Sequence, residues 1–155
     1  MDVRIFSSFV LSAISILEQV AQVKGQLTQP SVSDRISPSY DVSVRVSIVG
    51  DVEGTVVYSM DQDVAKKIAS TMLMGALIKE LDDISLSAIT ELANMITGNA
   101  STKLASKGLS VDITPPTLLS ENHTDIPFGN TQTVIIPIKT DTGIFEINAA
   151  LQESY

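Results

Sequence analysis

The sequence predicts an α+β domain in which amphipathic helices cover one face of an antiparallel or mixed sheet. Two segments, 41–60 and 131–151, show strand-like patterns on both sides of a turn, as β-hairpins do. Apolar residues recur at helical spacing over 3–23 and 83–107. Each long helix is followed by one hairpin, so we expect a domain built from two related helix-plus-hairpin halves.

The first half begins with a helix predicted over 3–23. Its expected buried side consists of five apolar residues: Val10, Leu11, Ile14, Leu17 and Ala21. Lys24-Gly25 should end this helix, because glycine favours the left-handed conformation at a helix C-terminus. A Ser/Pro-rich connector follows, and after it come a strand, a turn and a return strand: 41–49, 50–54 and 55–60.

The second half begins with a helix that should run from Asp61 to about Met74. A third helix, capped by Asp82 or Asp83, should reach about Lys107. The remaining elements are a short strand and the two strands of the second hairpin: 111–114, 131–139 and 144–151.

The third helix carries a candidate site on the side opposite its apolar face. Ser87, Glu91, Asn94 and Gly98 form one stripe along the helix. The expected buried face consists of seven apolar residues: Leu86, Ile89, Leu92, Ala93, Ile96, Ala100 and Leu104. A carboxylate and a carboxamide three residues apart can meet a cation and a water molecule together. The alternative interpretation is an ordinary solvated face.

One helical pattern occurs twice, which predicts that the two halves are an internal repeat. Residues 11–19 and 86–94 share five of nine positions when they are aligned end to end. In that alignment Ile16 stands in place of Glu91, and Gln19 stands in place of Asn94. We therefore expect a working site only in the second half.

Composition excludes several classes of function. The chain has 155 residues, the size of one domain, so we expect a single domain over 1–155. A formal net charge of −8 argues against nucleic acid or an anionic membrane surface as a partner. The chain has no cysteine and a single histidine, which excludes thiolate zinc sites and any multi-histidine metal site within one chain. No bound metal or cofactor is expected.

Two further segments are interpreted as ordinary parts of a globular fold. His123 lies in a polar stretch that is typical of a loop, and a second loop is predicted over 127–130. The apolar N-terminal stretch is interrupted by serines and continues at helical spacing to Val20, so it predicts a globular helix rather than a targeting segment. No run approaches 18 apolar residues, and we expect a cytoplasmic protein with no membrane span.

The site residues resemble the signature of the CheC/CheX family of chemotaxis phosphatases. That signature is an acidic residue or Ser, then Glu, then Asn, with a Pro some twenty residues later; here Ser87, Glu91 and Asn94 precede Pro115-Pro116. The strand pair around Gly50-Asp51-Val52-Glu53-Gly54 is similar to that of the family as well. The resemblance is closest to CheX and covers nearly the whole chain.

The resemblance implies an enzyme whose substrate is a phosphorylated CheY-like receiver protein. Mg²⁺ and the aspartyl phosphate would both belong to that receiver. Asn94 would orient the attacking water and Glu91 would engage the receiver's active-site lysine. Ser87 and Gly98 are assigned to contact with the partner; the alternatives are that Ser87 only fills the exposed face and that Gly98 only weakens the helix. The single site resembles CheX, as distinct from two-site CheC relatives.

Two further expectations follow from the same resemblance. CheX-like proteins pair through their sheets, and the hairpin edges of this chain carry few charges to deter pairing, so we expect a homodimer. The alternative to an enzyme is a non-catalytic interaction or scaffold module of the flagellar-switch type, which shares the fold but lacks the catalytic pair.

Overall fold

A computed structural model describes residues 2–34, 40–119 and 132–154. Within those ranges the chain forms three α-helices, namely α1 (Val3–Ala21), α2 (Gln62–Met72) and α3 (Asp83–Ser106). It forms eight β-strands, namely β1 (Gln26–Leu27), β2 (Ser31–Ser33), β3 (Val42–Gly50), β4 (Val52–Met60), β5 (Val111–Ile113), β6 (Thr117–Leu118), β7 (Thr133–Lys139) and β8 (Ile144–Glu153). The predicted loops around His123 and over 127–130 lie outside the described residues.

The strands form one antiparallel sheet in the order β1-β7-β8-β4-β3-β5. In addition, β2 pairs with β7 and β6 pairs with β3, so each outer edge consists of two short strands. The predicted hairpins are β3–β4 and β7–β8, and they join through β4 and β8, where Val56 lies opposite Ala149. The α+β prediction and the two helix-plus-hairpin halves are confirmed.

The two faces of the sheet differ in chemistry. Alternate residues of β3, such as Val44 and Val46, point into the core that the three helices cover. The intervening positions of the sheet carry buried polar groups, among them Ser43, Ser59 and Asn148. The helices therefore pack on the apolar face, as the period-two pattern predicts.

The turn of the first hairpin is shorter than predicted. The sequence places a turn over 50–54, but β4 begins at Val52, and only Asp51 separates it from β3. Gly54 lies inside β4 with a φ of +145°, and a Cβ at this position would lie 1.9 Å from the carbonyl oxygen of Ala150. This glycine is therefore required by the close approach of β8 and not by a turn.

The end and the buried face of α1 also differ from prediction. The helix ends at Ala21, and Gln22 (φ 54°), not Gly25, adopts the left-handed conformation that closes it. Leu11 was expected in the core but is 55% exposed, because the buried face is formed by the residues on either side of it. Those buried residues are Ile5, Phe6, Ser8, Phe9, Ser12, Ala13, Ile16, Leu17 and Ala21.

Helix α1 is the one helix among the described residues whose length and composition would suit a membrane span. It has 19 residues, with a mean hydropathy of 1.5. A core helix of a globular domain meets the same criteria, and α1 packs against α3 with nine side chains buried. The packing supports its interpretation as a core helix.

The predicted connector between the first helix and the first hairpin contains two strands. Both β1 and β2 pair antiparallel with β7, for example through Leu27 opposite Ile138 and Val32 opposite Val134. Strands of two and three residues are too short to show a period, so the sequence pattern did not reveal them.

Candidate functional site

The candidate site lies on α3, whose two ends are fixed by local hydrogen bonds. At the start, the carboxylate of Asp82 accepts hydrogen bonds from the Ser85 side chain (2.7 Å) and backbone N–H (2.9 Å). These bonds hold the pKa of Asp82 below its ordinary value. At the end, Gly108 adopts a φ of +84° and the Leu109 N–H donates to the Leu104 carbonyl. The prediction that Asp82 or Asp83 caps this helix is confirmed.

The apolar face of α3 is buried as predicted. Ile89, Ala93 and Ile96 are in the core, and of the seven predicted residues only Leu86 is half-buried. The helix packs on α1, α2 and β3, so its orientation on the sheet is fixed from three sides. A side chain on the opposite face is therefore carried on a rigid support.

The predicted stripe lies on the outer face of α3. Glu91 and Ser87 are exposed, while Asn94 and Gly98 are half-buried, so Asn94 is less open than predicted. Neither the Glu91 side chain nor the Asn94 side chain has a hydrogen-bond or ion-pair partner among the residues that the structure describes. Three residues of helical rise separate the two by about 4.5 Å along the axis, and their side chains lie on adjacent turns. Both groups are available to a ligand or partner.

Gly98 is the next residue of the stripe. Because it has no side chain, the backbone of α3 is accessible there. A Cβ added there would meet nothing within 4 Å, and its φ is not in the left-handed region. Neither crowding within the domain nor backbone conformation therefore requires a glycine at this position, although glycine weakens a helix interior.

A buried hydrogen bond ties the site-bearing turns of α3 to the sheet. The Tyr58 hydroxyl on β4 lies 2.7 Å from Oγ1 of Thr97, which in turn donates to the Ala93 carbonyl at 2.8 Å. Burial raises the pKa of the Tyr58 phenol, so the hydroxyl keeps its proton. Asn94 lies between the two residues of α3 that take part in this chain of bonds.

A second bond joins the two long helices. Oγ of the buried Ser12 on α1 donates to Oδ1 of Asn99 on α3 at 2.8 Å. Neither this pair nor the bond between Tyr58 and Thr97 is predicted by the sequence pattern. A signal for the latter was present, because Thr97 falls on the apolar face of the helix, where a polar group needs a buried partner.

The Pro115-Pro116 segment links β5 to β6, and both of these strands pair with β3. Thr114 anchors the segment, since its N–H donates to the Ser47 carbonyl and its Oγ1 accepts from the Ser47 N–H. The structure thus gives these prolines a role in directing the chain along the sheet edge.

The buried faces of α1 and α3 have the same pattern, so the two helices do repeat. The register in which these faces match differs from the sequence alignment by one residue. Ile16 is 7% exposed and belongs to the buried face of α1, so it cannot correspond to the exposed Glu91. When the buried faces of α1 and α3 are superimposed, Ile16 falls on Leu92. Glu91 and Asn94 then correspond to Ser15 and Glu18.

The corrected register keeps the expectation of a single site. A serine and a glutamate stand on α1 where α3 has a glutamate and an asparagine. In the part of the chain that the structure describes, no three His, Asp or Glu side chains cluster as metal ligands would.

Comparison with known proteins places this arrangement in a family. The family model described as chemotaxis phosphatase CheX matches residues 42–139, which include all of α3. The CheY-P phosphatase CheX of Thermotoga maritima is 35% identical over 120 residues, which are 77% of each chain.

Solved structures agree in fold. A CheC-like superfamily protein from Shewanella sp. PV-4 superposes with a TM-score of 0.88 at 24% identity, covering 98% of this chain and 99% of that one. In the CheX–CheY–BeF₃–Mg²⁺ complex from Borrelia burgdorferi, the matching chain gives a TM-score of 0.80 at 29% identity, covering 96% of this chain and 97% of that one. The chain belongs to the CheX family of chemotaxis phosphatases.

Proposed function

We propose that this chain accelerates hydrolysis of the aspartyl phosphate of a CheY-type receiver, with Glu91 and Asn94 inserted into the receiver's active site. The observation that carries the proposal is the stripe on α3, where a carboxylate and a carboxamide without partners among the described residues lie side by side on a helix packed against the sheet. The similarity to a CheY-P phosphatase supports the choice of substrate.

The chemistry requires positioning more than new reactive groups. A water oxygen attacks phosphorus, the bond from phosphorus to the aspartate oxygen breaks, and the aspartate leaves as a carboxylate. The phosphate product keeps the water oxygen, and the two protons of the water end on phosphate or in solvent. A carboxamide offers both a donor and an acceptor to one water, so Asn94 is suited to hold that water in line.

Glu91 plays a different part. A second negative charge near a phosphoryl group does not stabilise the transition state, so the carboxylate serves binding. We assign it to the receiver's active-site lysine, where the ion pair would dock α3 in register. Ser87 and Gly98 flank the pair on the same stripe and would contact the receiver surface.

Mg²⁺ enters this scheme on the receiver. The B. burgdorferi complex contains CheY, BeF₃ and Mg²⁺ together with CheX, which is the composition expected when the metal accompanies a phosphoryl analogue. We propose that this chain contributes neither a metal site nor a nucleophile, and that it works in the cytoplasm.

We also propose a homodimer formed through a sheet edge. The long hairpin strands have no free edge, because short strands pair with β7 at one side of the sheet and with β3 at the other. The exposed edges carry apolar side chains, among them Leu27 and Val32 beside β7. Sedimentation at micromolar concentration should show a dimer, and Val32→Lys should shift it toward monomer. A wild-type monomer at that concentration would exclude the dimer.

The central test compares turnover with binding. CheY from the same organism, phosphorylated with a small-molecule phosphodonor in the presence of Mg²⁺, should lose its phosphate faster when wild-type protein is added. The variant carrying both Glu91→Ala and Asn94→Ala should give no acceleration. Wild-type protein that binds phosphorylated CheY without accelerating its hydrolysis would instead be a non-catalytic scaffold module.

A further inference from the structure

Three large apolar side chains are exposed in the α2–α3 connector and the first turn of α3. Met74 is 97% exposed, Leu77 is 82% exposed and Ile84 is 66% exposed. Single exposed apolar residues are ordinary on protein surfaces, so the occurrence of three within the eleven residues 74–84 calls for an explanation. We call these three residues the apolar rim.

Met74 occupies a backbone position that favours glycine. It follows the C-cap of α2 with a φ of 62°, its N–H donates to the Thr71 carbonyl (3.2 Å), and the Gly75 N–H donates to the Ser70 carbonyl (2.7 Å). This is a Schellman arrangement, in which the left-handed residue is most often glycine. A methionine here is strained, and because its side chain is exposed it gains no packing within the domain.

Ile84 connects the rim to the catalytic stripe. It lies three residues before Ser87 and seven before Glu91, so all three project from the same side of α3. Two helical turns separate Ile84 from Glu91, a distance of about 10 Å along the axis. Leu77 lines the same surface depression as Asp82, the residue that caps α3.

We propose that the apolar rim is the affinity surface for the same CheY receiver that Glu91 and Asn94 enter, an inference that rests on the proposed function. The catalytic pair presents only polar groups, which fix orientation better than they provide affinity. Interfaces are anchored by buried apolar and aromatic side chains. A receiver that covers Glu91 and extends two turns toward the start of α3 would also cover Ile84, and we expect apolar side chains on its surface there.

The test separates affinity from turnover with three variants. Ile84→Ser removes one rim side chain, and Met74→Gly removes another while relieving backbone strain. Val3→Ser is the matched control, because Val3 is a comparably exposed apolar residue beside the C-terminal end of α3, where Lys107 bonds the Arg4 carbonyl. Each is assayed for KM and kcat with phosphorylated CheY, for binding to CheY–BeF₃–Mg²⁺, and for resistance to urea.

Ile84→Ser and Met74→Gly should each raise KM about tenfold and weaken binding to CheY–BeF₃–Mg²⁺ by the same factor, with kcat unchanged. Met74→Gly should do so while resisting urea better than wild type, which rules out unfolding as the cause. Val3→Ser should match wild type in both constants.

Three outcomes would decide against parts of the proposal. Rim variants with wild-type KM and binding would overturn it, although the phosphatase activity would stand. A loss of self-association in Ile84→Ser, without a change in CheY binding, would show that the rim joins two copies of this chain and would overturn it too. If the rim variants weaken CheY binding but the wild type never accelerates hydrolysis, the proposed function fails and the docking surface remains.

Discussion

Helices α1 and α3 lie side by side on one face of the same sheet, yet only one of them carries the candidate site. Both bury a continuous apolar face, and their buried residues repeat in the same register. Their outer faces differ, since Ser15 and Glu18 stand on α1 where Glu91 and Asn94 stand on α3. Packing on the sheet constrains the residue types of both inner faces. The outer faces are not constrained in this way, so their residue types can differ between the two helices.

The two helices also differ in how they are held. Thr97 bonds to Tyr58 of the sheet, whereas its counterpart on α1 is Ala21, which has no side-chain polar group. Helix α1 is instead held near its N-terminus, where Nζ of Lys107 donates to Oγ of Ser8 (2.9 Å) and to the Arg4 carbonyl (3.1 Å). The helix with the site is thus bonded to the sheet beneath the site, whereas the bonds that α1 makes to α3 lie at Arg4, Ser8 and Ser12.

The largest effect should come from Asn94→Ala. If the carboxamide orients the attacking water, its removal should lower kcat about 100-fold, by analogy with the loss of one positioning donor in other enzymes. Binding to CheY–BeF₃–Mg²⁺ should remain within about twofold of wild type. Single-turnover dephosphorylation and a binding titration measure the two quantities separately.

The control for Asn94→Ala lies on the other helix. Glu18→Ala, at the corresponding position of α1, should leave turnover and binding unchanged. An equal loss of binding and turnover in Asn94→Ala would make this residue a contact residue only. A loss of activity in Glu18→Ala would show that α1 also works.

The next effect should come from Glu91→Ala, which removes the proposed docking charge. Binding to phosphorylated CheY should weaken about tenfold, or about 1.4 kcal/mol. Added salt should weaken the wild-type interaction more than that of the variant, because screening acts on the ion pair. Binding measured at several ionic strengths checks this, and parallel salt dependence in the two proteins would argue against an ion pair.

The anchoring of α3 should be visible in stability. Thr97→Val keeps the side-chain shape but leaves the buried Tyr58 hydroxyl without its partner, so the free energy of unfolding should fall by about 1 kcal/mol. Tyr58→Phe combined with Thr97→Val should cost less than the sum of the two single changes. Urea unfolding of the wild type, both single variants and the double variant gives the coupling, and strict additivity would show that the bond contributes nothing.

Periodicity predicted the parts of the fold that have long regular patterns. The buried face of α3 and the pairing of the two hairpins were predicted correctly, because the pattern covers seven apolar positions in α3 and strands of seven or more residues in the hairpins. The predicted end of α1 was wrong, because Gln22 adopts the left-handed conformation that the sequence pattern assigns to Gly25. The left-handed state of a non-glycine residue depends on the contacts around it, and these are not local in sequence.

The residues of the candidate site can be predicted from the sequence, but the contacts around them cannot. The spacing of Glu91 and Asn94 places them together on any helix, so their stripe follows from sequence alone. The register of the repeat does not, because matching letters aligned Ile16 with Glu91 while packing on the sheet aligns it with Leu92. Only the structure shows that both site residues lack partners among the described residues and that Thr97 anchors the helix beneath them.

The smallest effect should come from Gly98→Ala. This substitution is also the most specific test of how the outer face of α3 differs from that of α1. A Cβ at this position meets nothing within 4 Å, and the backbone is not in the left-handed region. Alanine should therefore raise the free energy of unfolding by somewhat less than about 1 kcal/mol, the difference in helix propensity between the two residues. Urea unfolding measures this change.

The same substitution should weaken docking although it stabilises the fold. If the receiver's backbone approaches α3 closely beside Asn94, the added methyl group lies in its path, so binding to CheY–BeF₃–Mg²⁺ should fall severalfold. Ala105→Gly is the reverse control, since Ala105 is exposed near the end of α3, and its loss should destabilise the helix without changing binding. Opposite signs for stability and binding in Gly98→Ala would mark this glycine as a feature of the partner surface. Unchanged binding would reduce it to a weak point in the helix, and the working stripe of α3 would then end at Asn94.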